Sequence, residues 1–357
     1  MSIKETVGNA HSHWMNGGGP EADIVISSRL RVARNLAHLP FPHLLSAEQA
    51  DQVVAQVEHA AESAAVRERV GALSVVRMNE LSLVERQILV EKHLISPDLL
   101  QNCEHKAVAL RDDEILSVMI NEEDHLRIQC LLPGLQLAEA WQLVNRLDDG
   151  LEETLEYAFD EKLGYLTACP TNVGTGMRAS VMLHLPGLVL VNQIRGVLVT
   201  ISKLGLTVRG LYGEGTEAAG NLFQVSNQIT LGQAEEDIIA GLVSVTRQLL
   251  GQERAAREAL YRERREQLAD RVGRAYGILK HARIMSSEEA MRLFSDLRLG
   301  VDLGLVREIP ADLITELMVM TRPALLIYSA GRELSPGERD VYRAQLIRQK
   351  LSAARQD

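Results

Sequence analysis

Four short segments of the chain gather arginine, glutamate and glycine in patterns that a hydrophobic core does not require. The first is Ser27-Ser28-Arg29-Leu30-Arg31. On a strand, alternation puts Arg29 and Arg31 on one face, and two guanidinium forks side by side suit a polyanion. The second, Asn121-Glu122-Glu123-Asp124-His125-Leu126-Arg127, sets three carboxylates at the mouth of a strand, where they need cations or solvent. The third, Cys169-Pro170-Thr171-Asn172-Val173-Gly174-Thr175-Gly176-Met177-Arg178, has the glycines of a tight loop with backbone N–H groups free for anions. The fourth, Val208-Arg209-Gly210-Leu211-Tyr212-Gly213-Glu214, reads as a strand ending in an arginine, two glycines and a carboxylate. Together they offer cations for phosphate and carboxylates for a cation or a proton.

Such segments need a scaffold, and 357 residues suffice for two domains with a large core. A composition of 46% hydrophobic and 24% charged residues excludes global disorder. No uncharged apolar run reaches the roughly 18 residues of a membrane helix. Cys103, Cys130 and Cys169 cannot all pair and lack metal-ligand spacing, which suggests a reducing cytoplasm. The chain holds 31 arginines and only 7 lysines, a bias that arginines gripping phosphate would help explain. Residues 1–255 carry a net −13 and residues 256–357 a net +3. No GxxxxGK[ST], strand-placed GxGxxG, HRD or DFG occurs, which disfavours Walker ATPases and hydroxyl-directed kinases. The basic tract of a nucleic-acid binder is missing, and His11-Ser12-His13 reads as a mobile terminus rather than a metal site.

The spacing predicts strands over 23–32, 106–111, 116–120, 126–132, 206–211 and 222–225. It predicts helices over 47–69, 136–159, 188–204, 235–284, 286–299, 310–320 and 336–354. Hairpins mixed with crossing helices favour an α+β fold, with a largely antiparallel sheet flanked by helices. The end of the chain reads as all helical, giving expected domains 1–255 and 256–357.

With its motifs in this order, the chain resembles the phosphagen (guanidino) kinases, which transfer the γ-phosphoryl group of ATP to a guanidinium nitrogen. The family's NEEDHLR motif stands letter for letter at 121–127, and its CPxNxGTGxR motif at 169–178. The resemblance covers roughly residues 20–255 and implies that family's catalytic fold. It implies that Arg29, Arg31, Arg127, Arg178 and Arg209 hold the phosphates of ATP, with His93 beside the nucleotide. Ser27, Ser28, Leu30, Ala179, Ser180, Val181, Met182, Gly210, Leu211, Tyr212 and Gly213 belong to the same nucleotide segments. Glu123 and Glu214 would bind the acceptor guanidinium, and Cys169 matches the family's reactive cysteine. Mg²⁺ would ride mainly on the phosphates. The chemistry agrees: a loose phosphoryl-transfer transition state needs positioning and cations, while a guanidinium acceptor needs carboxylates to hold it and take its proton.

Family members that act on small metabolites carry a helical domain before the first arginine motif, which here begins at Ser27. An open site is therefore expected, able to admit an arginine that is part of a protein. With the added segment 256–357, the chain resembles the bacterial branch of the family that phosphorylates arginines on proteins. That resemblance implies marking of proteins for a Clp ATPase-protease, heat-shock and stress control, a zinc-binding activator protein and a homodimer. Arg339-Asp340-Val341-Tyr342-Arg343-Ala344 fits the branch's RDxxRA phosphoarginine-binding motif, so Arg339, Asp340, Arg343 and Ala344 are expected to form that pocket. Arg339 and Arg343, at i and i+4, share a helix face. Two other readings stay open: a kinase of a free guanidino metabolite such as arginine, and a non-catalytic phosphoarginine reader.

Overall fold

The computed structural model describes residues 3–9, 11–210 and 218–354; Leu211, Tyr212, Gly213 and Glu214 lie outside them. In chain order the strands are β1 (Val25–Arg34), β2 (Leu73–Arg77), β3 (Ala107–Arg111), β4 (Leu116–Ile120), β5 (Leu126–Pro133), β6 (Phe159–Asp160), β7 (Gly164–Tyr165), β8 (Met177–His184), β9 (Leu206–Gly210) and β10 (Leu222–Asn227). β6 and β7 form a short hairpin. The other eight make one antiparallel sheet in the order β2-β3-β4-β5-β1-β8-β10-β9. The α+β reading with an antiparallel sheet holds.

The helices are α1 (Ile3–Gly8), α2 (Ala47–Ala61), α3 (Ala64–Val70), α4 (Leu83–Glu91), α5 (Leu137–Glu152), α6 (Pro186–Leu190), α7 (Ile194–Lys203) and α8 (Glu235–Glu263). They continue with α9 (Arg265–His281), α10 (Ser287–Asp302), α11 (Ala311–Met320), α12 (Pro323–Ala330) and α13 (Pro336–Ala353). Among the described residues no single helix is long and apolar enough to cross a membrane.

Strand alternation divides the core in two. Leu30, Val32, Ile128, Cys130, Ala179, Val181 and Val225 face one side and pack with α2, α5 and α8. Each Leu, Ile or Val among them is worth about 1.5–3 kcal/mol of burial. On the opposite side, Ile26, Val108, Met119, Leu131 and Met182 join a second core with Trp14, α4 and the helices after residue 265. The C-terminal helices therefore pack against the same face of the sheet that carries Arg29 and Arg31.

Several expected helices are shorter than the periodicity suggests, each for a local reason. The 47–69 segment breaks at Ser63, whose hydroxyl accepts from Val66 N and starts α3. The 188–204 segment breaks near Asn192, at φ 60°, and the 235–284 segment breaks at Arg264, at φ −136°. The helix expected over 136–159 ends at Glu152. The N-terminus is not a loose tail: Ser12, Trp14 and Met15 are buried. The Lys92 ammonium draws this segment in, donating to the Thr6 and Asn9 carbonyls at 2.9 Å and pairing with buried Glu114.

Candidate active site

The strand register alone places the five arginines on one face. Directly opposed residues of an antiparallel pair share a face, as do residues two apart on one strand. On β1, Arg31 opposes Arg178 of β8, Ala33 opposes Arg127 of β5, and Arg29 opposes Ser180. Gln224 of β10 opposes both Met182 and Arg209. Arg29, Arg31, Arg127, Arg178 and Arg209 thus form a cationic field across β5, β1, β8 and β9.

That field is electrostatically unfavourable when empty. Burial lowers the Arg31 pKa far below the usual arginine range, aided by Arg29, Arg127 and Arg178 and opposed by Glu122. Its Nε is buried with no hydrogen-bond partner among the described residues. Arg178 is lowered too, by burial first and then by Arg209 and Arg127, while Cys169 and Glu123 act the other way. Arg29 Nη2 donates to Gln224 Oε1 at 2.7 Å, and Arg178 Nη2 to Ser226 Oγ at 3.4 Å.

The same alternation sorts the remaining nucleotide candidates. Ser27, Ser180 and Met182 lie on the arginine face, whereas Ser28, Leu30, Ala179 and Val181 lie on the core face. Ser28 Oγ is occupied there, donating to Gly134 O at 2.7 Å and accepting from Gln136 N at 2.9 Å. Gly210 closes β9.

The acidic turn assigns its carboxylates separate tasks. Glu122 takes a fork from Arg127 Nη1 at 2.8 and 2.9 Å and is sealed against it. Asp124 accepts from Asn35 Nδ2 and from Ala168 N, both at 2.7 Å, tying the turn to the Cys169 loop. His125 Nδ1 accepts from Leu36 N at 3.0 Å, so its Nε2–H donates to Pro40 O at 2.9 Å. Burial lowers its pKa to about 4 and keeps it neutral. Glu123 is left exposed on the turn, its pKa raised by partial desolvation and by Asp124, Glu122 and Asp98, against the pull of Arg127. A carboxylate raised in this way is a better proton acceptor than an ordinary one.

The Cys169 loop departs from the expected anion nest. The N–H groups of Asn172, Val173 and Gly174 bond to the Cys169, Pro170 and Tyr165 carbonyls, so they serve the loop's own shape. Gly176, at φ 66°, is required by close packing: a Cβ there would meet Ala33 O at 2.6 Å and Arg34 Nη1 at 2.8 Å. Arg34, overlooked in the sequence, anchors the loop through Thr175 O at 2.9 Å and a buried pair with Asp148. The Cys169 thiol, half-exposed, stands 3.0 Å from Thr171 Oγ1.

His93 sits in the left-handed region at φ 61°, its ring 5.5 Å from that of Trp14. Gln129 Nε2 holds its carbonyl at 2.9 Å, and Trp14 Nε1 holds that of Lys92 at 3.1 Å. Its pKa falls to about 3 through burial, then Arg29, then Arg322. Arg322 comes from the start of α12, so the C-terminal helices reach the His93 side of the arginine face. Glu91 fastens the junction, accepting from Ala324 N at 3.0 Å and Leu325 N at 3.1 Å.

In the RDxxRA segment, Arg339 and Asp340 are half-buried while Arg343 and Ala344 are buried. Arg343 pairs with Asp340 and donates to Thr321 O at 3.0 Å and Met285 O at 2.8 Å. Arg339 and Arg322 both act electrostatically on Glu91 and on Arg343, so this segment adjoins the Glu91 junction.

The described geometry therefore joins a field of arginines to a turn holding one available carboxylate. A family model described as the ATP:guanido phosphotransferase C-terminal catalytic domain matches residues 52–256. This chain belongs to the ATP:guanido phosphotransferase family. A second model, described as the protein-arginine kinase McsB C-terminal domain, matches residues 265–357 of this phosphotransferase. The chain is 64% identical over 352 residues to a protein-arginine kinase of Pelotomaculum thermopropionicum, covering 99% of both chains. It is 60% identical over 353 residues to one of Desulforamulus reducens, again covering 99% of each. Its fold is similar to the crystal structure of lombricine kinase, with TM-score 0.58 at 22% identity, covering 69% of this chain and 71% of that one.

Proposed function

We propose that the chain is a protein-arginine kinase, transferring the γ-phosphoryl group of MgATP to arginine side chains of proteins. What carries the reading is the uncompensated cationic field around Arg31, adjoining the exposed carboxylate of Glu123. Arg29, Arg31, Arg127, Arg178 and Arg209 hold the phosphates and the charge that spreads over the transferring group. His93 flanks the nucleotide as a neutral ring. Glu123 orients the acceptor guanidinium with Glu214 and takes its proton as the N–P bond forms and the bond from phosphorus to the β–γ bridging oxygen breaks. ADP leaves, and the proton rests on Glu123 until solvent removes it. Cys169 adds a contact to the guanidinium. Protein as the acceptor is supported by the relatives' name.

On the same basis we assign 1–255 as the phosphotransferase domain and 256–357 as the helical domain for dimerisation and phosphoarginine binding through Arg339, Asp340, Arg343 and Ala344. The cytoplasmic role is to mark proteins for a Clp ATPase-protease under stress, with a zinc-binding activator protein. The test is incubation with γ-labelled MgATP and an arginine-rich unfolded protein. Label on protein that is lost in acid and survives base is expected; label on free arginine alone, or no label, overturns the reading.

A further inference from the structure

The Glu122–Glu123 turn has two sides. Toward β5, Glu122 is locked to Arg127. Away from it, the turn lines a cavity of about 550 Å³ whose other walls include Pro42, Ala47, Asn102, His105 and Lys106. Ala168, next to Cys169, also borders it, so the cavity begins where the acceptor guanidinium is proposed to sit. Its volume is far more than a guanidinium needs, and it is within the range of pockets that hold small ligands.

The walls are uneven in charge. Glu123 lines the cavity beside the proposed reacting centre. Lys106 is half-buried, its Nζ donating to Asp98 O at 3.1 Å, and burial lowers its pKa while Cys103, Glu122 and Asp98 oppose the shift. His105 is held by Asp51 through Nδ1 at 3.0 Å, and His43 is exposed at the rim. With Glu122 committed to Arg127, a wall that carries Lys106 and the His105 imidazole near Glu123 matches a polypeptide that presents an arginine to Glu123 and a carboxylate next to it to Lys106.

Resting on the protein-arginine kinase reading, we propose that this cavity is the subsite for the residue flanking the acceptor arginine, and that Lys106 makes it favour an acidic neighbour over a basic one. Continuity with Glu123 identifies the occupant as the substrate's own chain. A contact at the rim of a site sets such preferences by a few-fold, on the order of three- to tenfold per charge.

Two variants test this without touching the groups assigned to ATP. Ala47 is exposed at the start of α2, so Ala47→Trp fills the cavity with little risk to the fold. Peptides carrying one arginine flanked by Glu, Leu or Lys are compared with free arginine, reading phosphoarginine formation and the KM for ATP. Wild type should favour the Glu-flanked peptide about three- to tenfold over the Lys-flanked one. Lys106→Glu should reverse that order. Ala47→Trp should lower kcat/KM for every peptide about tenfold or more while leaving the KM for ATP unchanged. Peptide kinetics that ignore both variants, in a wild type that phosphorylates peptides, overturn the subsite alone. A wild type that phosphorylates no arginine overturns the kinase reading, and the subsite with it.

Discussion

Replacing Arg31 by methionine should stabilise the empty protein while disabling its nucleotide site. Arg31 is half-buried among Arg29, Arg127 and Arg178, with Glu122 the compensating charge, and Glu122 is already occupied by both bonds from Arg127. Positions adjacent along or across a strand lie roughly 5–7 Å apart. At an effective dielectric near 20, each like-charged pair at that spacing costs about 2–3 kcal/mol. Splaying of the guanidinium groups and solvent reduce the total, leaving an expected gain of about 1–3 kcal/mol when the charge is removed. For a chain of this size that is a rise in Tm of roughly 1–4 °C. Thermal unfolding with and without MgATP is the assay. Wild type should gain about 2.7 kcal/mol when ATP is present at one hundred times its Kd. The variant should lose most of that gain, and phosphoryl transfer should fall about a hundredfold or more. An empty variant that melts below wild type, or one that keeps the full ATP-induced rise, refutes the reasoning.

Acid should destabilise the fold early. His93 and His125 titrate near 3 and 4 when folded, and His184 lies well below its ordinary value, so the unfolded chain takes these protons first. Stability should therefore fall as pH drops from 6.5 toward 5, by up to about 1.4 kcal/mol per unit for each histidine; a constant Tm across that window contradicts it. The raised Glu123 carboxyl must be ionised to accept a proton, so the acid limb of kcat/KM should lie above the ordinary carboxylate value of 4.5, and a limb at or below it counts against Glu123 as the base. Glu91→Ala removes the carboxylate at the start of α12 and should cost about 1–2 kcal/mol. It should also speed hydrogen exchange over Ala324 and Leu325, and unchanged exchange there argues against the junction.

Much of this site was legible because its logic is local. Alternation sufficed to put Arg29 beside Arg31, and the acidic and glycine motifs are contiguous. The common face of all five arginines needs the register of four strand pairs, which no single segment encodes. β8 was missed since Met177 and Arg178 read as the end of a loop, and the loop's N–H groups turned out to be bonded within it. The environment of His93 was invisible for a different reason: Trp14, Gln129 and Arg322 reach it from distant parts of the chain. Glu91 likewise meets α12 across 233 positions. The over-long helices failed at single caps, Ser63 and Arg264, where a local hydrogen bond or dihedral overrides continuous apolar periodicity.

In the proposed mechanism the arginines hold the nucleotide while Glu123 serves the acceptor. Wild type and Glu123→Gln should be compared for MgATP affinity and for the rate of phosphoarginine formation on an unfolded protein. The expected result is an ATP Kd within about twofold and a formation rate lower by about a hundredfold or more. A Glu123→Gln protein that forms phosphoarginine within a few-fold of wild type would contradict it.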